Sequence, residues 1–367
     1  MRFLQLYFFL LFSLGLQANE LILSSQIAKS LGYLKKDSSK HRNLKSKTHN
    51  QLPWASHSLN WPVSFQNSLD PIGNDMVEYQ PYDGGYFHGG LDLLSPFGSH
   101  VRAPVAGRIE AGHYAYTPQS NGSLEKMWKP WPQSGNPTYF EVAVITDEGF
   151  RFEFHHVDRN TLPPAIVEKL NKGRASRVEV GEVLGDVLEW EIRDYHHIHY
   201  NIIDPNGVSR VNPQYVSPEI SDSIAPEVIA MAYKSKKNNI WMEFKNFQRL
   251  TDAEEIQVVC KDQKIREGFE HPPVSSQLEF QNGKKTAWNF KRRLEDENSM
   301  WPELWNFYAR SLNLFSKNYE TWGDYGHGEF IVRLKVPEKA EGAFKIKLID
   351  DASNETLIEG ENSTNLF

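Results

Sequence analysis

The sequence predicts a mostly β protein that is built from two domains. Its 367 residues exceed the roughly 100 to 200 residues that one domain usually contains. Short apolar runs bounded by turn residues occupy residues 61–216, which is typical of a mostly β domain. In residues 217–367, apolar and polar residues alternate in several segments, and this period indicates the half-buried strands of a β-sandwich-like domain.

The first residues have the composition of a secretory signal peptide. Arg2 precedes an apolar run over residues 3–16, and the small residue Ala18 follows it. The run is shorter than the roughly 20 apolar residues that cross a bilayer, so a signal peptide of residues 1–18 is favoured over a retained anchor. We therefore expect export to the periplasm or the extracellular space, with no stable membrane insertion after signal cleavage.

Residues 19–60 are expected to form a polar linker or pro-segment. The stretch 35–51 is nearly free of apolar residues, and such a composition cannot offset the entropy of ordering the chain. The composition favours a flexible tether. The alternative is an inhibitory segment that lies over the functional site.

Three segments of the first domain have the composition of strands. They are residues 101–110, residues 140–146 and residues 152–157, and a turn over residues 147–149 separates the second from the third. Each combines β-branched or aromatic residues with a nearby glycine, proline or polar turn. These segments predict short strands of a mostly β domain.

One helix and one loop are expected to interrupt these strands. Pro163 and Pro164 are a good helix start for residues 165–170, and Gly173 is a typical helix end. The polar segment 117–137 contains tryptophan and proline and has no strand period, so it predicts a long surface loop.

The second domain combines strands with one predicted helix. Residues 240–244, 330–336 and 344–348 alternate as strands do. Behind Pro302, apolar residues recur at helical spacing, which predicts a helix packed on the sandwich. These residues are Leu304, Phe307, Tyr308, Leu312 and Phe315.

Charge and cysteine content exclude several classes of function. The net charge of -7 and the pI near 6.0 argue against free nucleic acid as a partner, which requires a concentrated basic face. Cys260 is the only cysteine, so an intramolecular disulfide and a cysteine-rich zinc site are both excluded. Its apolar setting over residues 256–260 predicts a buried strand. Any metal site must therefore use histidines and carboxylates.

The segment that begins at His88 has the first pattern of a metal site. His88 and Asp92 are four positions apart, with Gly89 and Gly90 between them. The glycines permit a backbone path that would be strained for other residues, so that an imidazole and a carboxylate converge. This pair is a partial ligand set for Zn²⁺.

Two further segments bring pairs of histidines. Residues 195–202 are strand-like, so His197 and His199 lie on one face, about 7 Å apart, and can share a metal or a metal-bound water. Residues 152–157 supply His155 and His156, of which only one can face a given site. Alternation alone does not choose between them.

The ordered set of motifs resembles the lysostaphin-type (LytM-like) zinc metalloendopeptidases. The resemblance spans residues 61–215. It is carried by WPV at 61–63, HGGLDLLSPFGSHVRAPVAGRI at 88–109, FHHV at 154–157, VEVGEVLG at 178–185, HIHYNI at 197–202 and VNPQY at 211–215.

The resemblance implies an antiparallel β-sheet peptidase domain that binds one Zn²⁺ through His88, Asp92 and His199. It assigns His156 and His197 as the catalytic pair, and leaves open which of them is the base. The implied activity is that of a peptidoglycan DD-endopeptidase-like enzyme, and the implied partner is the peptide moiety of peptidoglycan, in its cross-links or stem peptides.

Two departures from the family pattern bear on the shape of the groove and on which bond is cleaved. Residues 190–196 replace a glycine-containing stretch, and the segment 117–137 is unusually long.

The alternative function is a catalytically silent wall-binding protein or an activator of other wall hydrolases. It predicts lost ligands, whereas all five site positions are retained. For residues 217–367 we expect a role in targeting or positioning the substrate.

Overall fold

The computed structural model describes most of the chain beyond residue 51. The described residues are 52–65, 70–80, 86–118, 124–173, 175–192, 195–205, 207, 209–265, 268–294, 304, 306–314, 317–321 and 328–363. The predicted signal peptide and residues 19–51 lie outside them. No helix within the described residues is long and apolar enough to cross a bilayer.

The protein is mostly β, which confirms the predicted fold class. The first half contains β1 (Tyr79–Gln80), β2 (Tyr86–Phe87), β3 (Leu91–Leu94), β4 (His100–Arg102), β5 (Gly107–Pro118), β6 (Leu124–Pro130), β7 (Phe140–Ile145), β8 (Arg151–His155), β9 (Val157–Asp158), β10 (Arg177–Val178), β11 (Val183–Val187), β12 (His197–Ile203) and β13 (Arg210–Val211). Its helices are α1 (Pro164–Lys172), α2 (Pro213–Val216) and the 3-10 turns Pro137–Tyr139 and Arg159–Thr161.

The second half continues with strands. They are β14 (Glu227–Ser235), β15 (Trp241–Glu243), β16 (Arg249–Thr251), β17 (Ala253–Gln263), β18 (Glu270–His271), β19 (Ser275–Phe280), β20 (Lys285–Asn289), β21 (Arg293–Leu294), β22 (Ser311–Asn313), β23 (Asn318–Glu320), β24 (Phe330–Lys335), β25 (Gly342–Ile349) and β26 (Glu355–Ser363). Within the described residues, only β16 and β26 pair in parallel.

A nine-stranded sheet is the frame of the first half. Its order is β10-β5-β7-β8-β12-β13-β21, with β3 paired to β12 and β6 paired to β5. Because side chains alternate along a strand, one face is apolar: Phe154 and Tyr200 lie on neighbouring strands and stack at 5.4 Å. The opposite face carries the polar residues, and the candidate site lies there.

The predicted helix is confirmed as α1. It begins at Pro164, whose missing amide hydrogen is not needed in the first turn, and buries Ile166 and Leu170. Gly173 ends it with φ of 77°, a conformation that glycine adopts without steric conflict, and its N–H donates to the carbonyl of Leu170.

The predicted surface loop over residues 117–137 is wrong in part. β5 extends to Pro118, and β6 returns beside it from Leu124 to Pro130. The ring centroids of Tyr114 and Trp128 lie 5.0 Å apart across the two strands. Cross-strand aromatic pairs stabilise a hairpin whose sequence has no apolar alternation. Such a pairing is not visible from either strand alone.

The second half forms the predicted β-sandwich. One five-stranded sheet has the order β15-β14-β17-β18 with β24 on β17, and the other has the order β16-β26-β25-β19-β20. Ile256 and Val258 of β17 share a buried core with Phe344 and Ile346 of β25. Cys260 is fully buried on β17, as its apolar setting predicts.

The predicted helix behind Pro302 is largely wrong. Leu304 and residues 306–307 are helical, but residues 311–313 are β22, which pairs with β23. Leu304, Phe307 and Tyr308 are buried, so their spacing does report one packed face. The pairing of β22 with a later strand overrides the helical period. Phe315 lies outside the described residues.

The two halves are joined by a shared sheet and by buried polar groups. β21 of the second half pairs with β13 of the first. Lys264 is 3% exposed, and its Nζ lies 3.4 Å from Asp75 Oδ2 and 3.8 Å from Asp351 Oδ2. Gln214 Nε2 donates to both carboxylates, at 3.0 Å and 2.6 Å. We call these four residues the junction cluster. A boundary near residue 217 stays a prediction.

The end of the predicted linker packs on the first half. Trp54 contacts Phe150 and Phe152 edge to face, with ring centroids 4.8 Å and 5.1 Å away. Leu59 is buried in the same core. The described part of the segment 19–60 therefore packs on the core of the first half.

Candidate metal centre

A row of polar side chains crosses the polar face of the nine-stranded sheet. Glu141 of β7 is opposite His155 of β8, which is opposite His199 of β12. His199 is in turn opposite Asp92 of β3. His88 precedes β3 and reaches the same place. Strand register thus assembles groups that are far apart in the sequence.

Three of these side chains meet at one point. His88 Nε2 lies 2.7 Å from His199 Nδ1 and 3.1 Å from Asp92 Oδ1. His199 Nδ1 and Asp92 Oδ1 are 2.9 Å apart. Tetrahedral zinc with bonds of about 2.1 Å holds its ligand atoms about 3.4 Å apart. A small outward movement of each side chain therefore admits the ion. Two imidazoles and one carboxylate also match the donor chemistry of zinc, so the residues fit this metal.

Outer contacts fix the orientation of the ligands. His88 Nδ1 donates to the carbonyl oxygen of Asp75 at 3.0 Å, which leaves the Nε2 lone pair facing Asp92 and His199. Asp92 Oδ2 accepts from Asn74 Nδ2 at 2.7 Å and from the Tyr195 hydroxyl at 3.3 Å. Such contacts hold metal ligands in place and raise affinity. No pattern in the sequence indicated Asn74 or Tyr195.

The two glycines between His88 and Asp92 have different roles from those predicted. Neither has a positive φ, so no left-handed backbone is needed. A Cβ on Gly90 would lie 2.3 Å from the carbonyl oxygen of Tyr200, whereas a Cβ on Gly89 would be 3.5 Å from its nearest neighbour. Gly90 is therefore required for the close approach of the chain to β12. Gly89 has room for a side chain.

His156 and His197 lie beside the ligands in matching orientations. His156 Nδ1 donates to the carbonyl of Thr138 at 2.6 Å, and His197 Nδ1 donates to the carbonyl of Tyr195 at 3.0 Å. A carbonyl only accepts, so each Nδ1 carries the hydrogen and each Nε2 keeps its lone pair. The ring centroids are 4.7 Å apart, and His197 Nε2 lies 3.9 Å from Asp92 Oδ2.

A backbone kink separates His155 from His156. His156 has φ of 65°, in the left-handed region, and it lies between β8 and β9. The kink breaks simple alternation, so His155 faces the row beside His199, at 5.2 Å between ring centroids, while His156 meets His197. Strained residues of this kind are common at functional sites. Both histidines therefore lie near the ligands.

Burial and charge set the protonation of the cluster. Burial lowers the pKa of His156 well below its usual value and also lowers the pKa of His197, so both are neutral at pH 7. Burial and the His88 charge lower the pKa of His199 to about 3. Burial opposes ionisation of Asp92, but the nearby imidazoles outweigh it and lower the pKa of that carboxyl.

A charged network adjoins the ligands. Arg151 binds Glu141 and Glu153, the latter through Nε at 2.6 Å. His155 Nε2 lies 3.5 Å from Glu153 Oε2 and 3.6 Å from Glu141 Oε2. Arg151, Glu153 and His155 alternate along one strand, and that period was the signal in the sequence for this polar face. This network of charged side chains forms one edge of the candidate site.

Trp190 packs on both members of the histidine pair. Its ring centroid lies 4.6 Å from that of His156 and 4.7 Å from that of His197, edge to face in each case. Its backbone N–H donates to His196 Nδ1 at 2.9 Å. The segment 190–196 thus contributes a wall of the candidate site.

Comparisons with known proteins return distant structures only. No protein-family model and no curated protein matches the chain. Similar solved structures include Csd3 of Helicobacter pylori, at 15% identity over 44% of this chain and 35% of that chain, with a TM-score of 0.28. The SpoIIQ-SpoIIIAH pore-forming complex matches at 12% identity over 45% and 94%, with a TM-score of 0.30. A mutant catalytic domain of the prophage-encoded M23 protein EnpA of Enterococcus faecalis matches at 18% identity over 44% and 95%, with a TM-score of 0.25.

Proposed function

We propose that the protein is a zinc-dependent endopeptidase that hydrolyses peptide bonds in the cross-links or stem peptides of peptidoglycan. The observation that carries this proposal is the convergence of His88, Asp92 and His199 beside a pair of histidines with free Nε2 lone pairs. Zinc, when bound, supplies a Lewis acid that lowers the pKa of a water to about 7 and polarises a carbonyl.

The chain's own residues supply the proton transfers. His88 Nε2, Asp92 Oδ1 and His199 Nδ1 would hold the ion. His156 and His197 are neutral and buried, so either Nε2 can accept a proton from the attacking water. The imidazole that has gained the proton can then donate a hydrogen bond to the developing oxyanion or pass the proton to the leaving amine. Their Nδ1 anchors keep both rings aimed during these steps.

The substrate class follows from the resemblance of the motifs and from the expected export. A peptidase that reaches the periplasm or the extracellular space has access to the wall polymer. The β-sandwich would position this substrate by a second attachment, which raises the local concentration of scissile bonds.

Trp190 favours a second candidate function, a catalytically silent wall-binding protein or activator. Its indole occupies room next to both histidines that a substrate peptide needs. In that case the metal site would be structural. The two candidates differ in the products they leave on the wall.

Digestion of purified peptidoglycan tests the proposal. The chain without residues 1–18 is compared with His199→Ala and with the matched control His100→Ala, a histidine whose side chain is 56% exposed. We expect new peptide termini, read by mass spectrometry, from the first and third proteins alone. Zinc binding without any cleavage by the first protein would overturn the enzymatic proposal in favour of the silent one.

A further inference from the structure

Three carboxylates meet in the second half of the molecule, away from the metal centre. Asp222 lies in the segment that leads into β14, Asp262 lies near the end of β17, and Asp350 follows β25. One oxygen of each lies within 4.8 Å of the other two. We call these residues the carboxylate cluster.

Two of the three carboxylates are buried, Asp222 is partly exposed, and the cluster is only partly hydrogen-bonded. Asp262 is 2% exposed and Asp350 is 1% exposed. Asp350 accepts two hydrogen bonds from Asn354, both at 2.8 Å. In contrast, Asp262 Oδ1 and Asp222 Oδ2 are buried without a hydrogen-bond donor. A buried carboxylate oxygen without a partner is strongly unfavourable, so these two atoms point to a ligand.

Among the residues that the structure describes, no basic side chain forms an ion pair with Asp222, Asp262 or Asp350 within 4.0 Å. Lys264 is the nearby cation, but its Nζ contacts Asp75 and Asp351 of the junction cluster. Burial, followed by the charge of Asp350, raises the pKa of Asp262 to about 8. Burial also raises the pKa of Asp222 and of Asp350.

We propose that the carboxylate cluster is a binding site for a hard divalent cation, Ca²⁺. Calcium takes oxygen ligands at about 2.3–2.6 Å, so two of its ligand oxygens lie between about 3.4 and 5 Å apart. The three ligand oxygens all lie within 4.8 Å of one another, so no pair exceeds the upper end of this range. The cluster offers neither imidazole nor thiolate, which zinc prefers. The ion would supply the partner that the unpaired oxygens of Asp222 and Asp262 lack.

The site would also connect the two halves of the molecule. Asp351, next to Asp350, accepts from Asn212 Nδ2 at 2.9 Å and from Gln214 in the first half. Asp222 belongs to the segment that joins the halves. A cation held by these aspartates would fix both the connecting segment and the turn that carries Asp351.

Calorimetric titration of the full chain with CaCl₂, paired with thermal unfolding, tests the site. The variants are Asp262→Asn and Asp222→Asn, and the matched control is Glu254→Gln, an exposed carboxylate on the same strand as Asp262. We expect the unchanged protein and the control to bind one Ca²⁺ with Kd on the order of 10⁻⁵–10⁻³ M and to melt at a higher temperature with calcium. Each aspartate variant should bind at least about ten-fold more weakly, because it loses a charged ligand.

A second readout separates the site from a purely structural cluster. Without calcium, Asp262→Asn should melt at a higher temperature than the unchanged protein, because the unchanged chain must either protonate Asp262 on folding or bury its charge beside Asp350, and the amide requires neither. With calcium, this order should reverse. No heat and no change in melting up to about 10 mM calcium would overturn the proposal, as would an equal response of the aspartate variants. Asp222, which is partly exposed, gives a variant that keeps the test valid if Asp262→Asn does not fold.

Discussion

The candidate metal centre and the carboxylate cluster each bring three mostly buried candidate ligands together, but they differ in how the ligand atoms are anchored. At the metal centre, His88 and Asp92 each have an outer partner, Asp75 O for the first and Asn74 for the second. In the carboxylate cluster, Asp262 Oδ1 has none. An anchored imidazole and carboxylate match the ligands that zinc takes, whereas the two unpaired oxygens of Asp262 and Asp222 suit the more flexible shell of calcium. Ligand type and outer contacts therefore both bear on which ion we propose for each site.

The largest expected effect is the loss of a ligand at the metal centre. His199→Ala should weaken zinc binding by more than about 100-fold, since loss of an outer partner alone reduces affinity by 10- to 100-fold. Peptidase activity should fall in parallel. Calcium binding should not change, because the carboxylate cluster shares no residue with this site. Zinc titration by competition with a chelating dye measures the first effect. An equal loss of calcium binding would show that the two sites are not independent.

Substitution of Gly90, which lies between His88 and Asp92, should have a smaller effect, and the quantity that it changes is the stability of the fold. Gly90→Ala places a Cβ 2.3 Å from the Tyr200 carbonyl oxygen and should lower the free energy of unfolding by about 1–3 kcal/mol. Gly89→Ala is the matched control and should change it by less than about 0.5 kcal/mol. Denaturant unfolding measures both. Equal effects would contradict the role assigned to Gly90.

The two clusters should respond to pH with opposite signs. The pKa of His199 falls from 6.5 to about 3, so the unfolded chain binds a proton that the folded one lacks, and stability is lost as the pH falls through this window. The pKa of Asp262 rises from 3.8 to about 8, so without calcium its contribution is lost as the pH rises towards 8. Each slope is at most about 1.4 kcal/mol per pH unit.

Denaturant unfolding of the metal-free chain between about pH 5 and pH 8.5 measures this contrast. Relative to the unchanged protein, Asp262→Asn should be less sensitive to alkali, and His199→Ala should be less sensitive to acid. Calcium should remove the alkaline loss in the unchanged protein and in His199→Ala, which keeps the carboxylate cluster, but not in Asp262→Asn. Parallel pH curves for all three proteins would refute the contrast.

The smallest expected effect concerns Trp190. Trp190→Ala should lower kcat several-fold, because His156 and His197 lose the ring that holds them, while zinc and calcium affinities stay unchanged. Trp190→Phe is the matched control and should retain most activity. Steady-state hydrolysis of a muropeptide measures the effect. A rise in activity for the alanine variant would instead indicate that the indole covers the site.

Local patterns predicted much of the fold, and tertiary pairing explains what they missed. The strand alternation and the capping of α1 are properties of short segments, so they were visible in the sequence. The β5–β6 hairpin and the β22–β23 pair depend on partners elsewhere in the chain. For that reason the sequence alone predicts a loop over residues 117–137 and a helix behind Pro302.

The same distinction applies to the candidate site. His88 and Asp92 lie in one short motif and His197 and His199 in another, so both pairs could be selected from spacing and resemblance. The position of His156 depends on a left-handed kink, which alternation does not predict. Asn74 and the carboxylate cluster come from separate segments that only the folded chain brings together. Spacing in the sequence carries no information about such groups.

The contacts of Asp75 make the candidate site in the first half depend on the folding of the second half. Its carbonyl oxygen aims the His88 ring, and its carboxylate is matched by Lys264, which is synthesised nearly two hundred residues later. Until Lys264 arrives, that carboxylate has no buried cation to oppose it, and the loop that holds His88 lacks part of its support. Under the proposed function, we expect the chain to become catalytically competent only when its second half has folded. A wall-degrading activity would thereby be withheld from incomplete or damaged copies without any separate inhibitor.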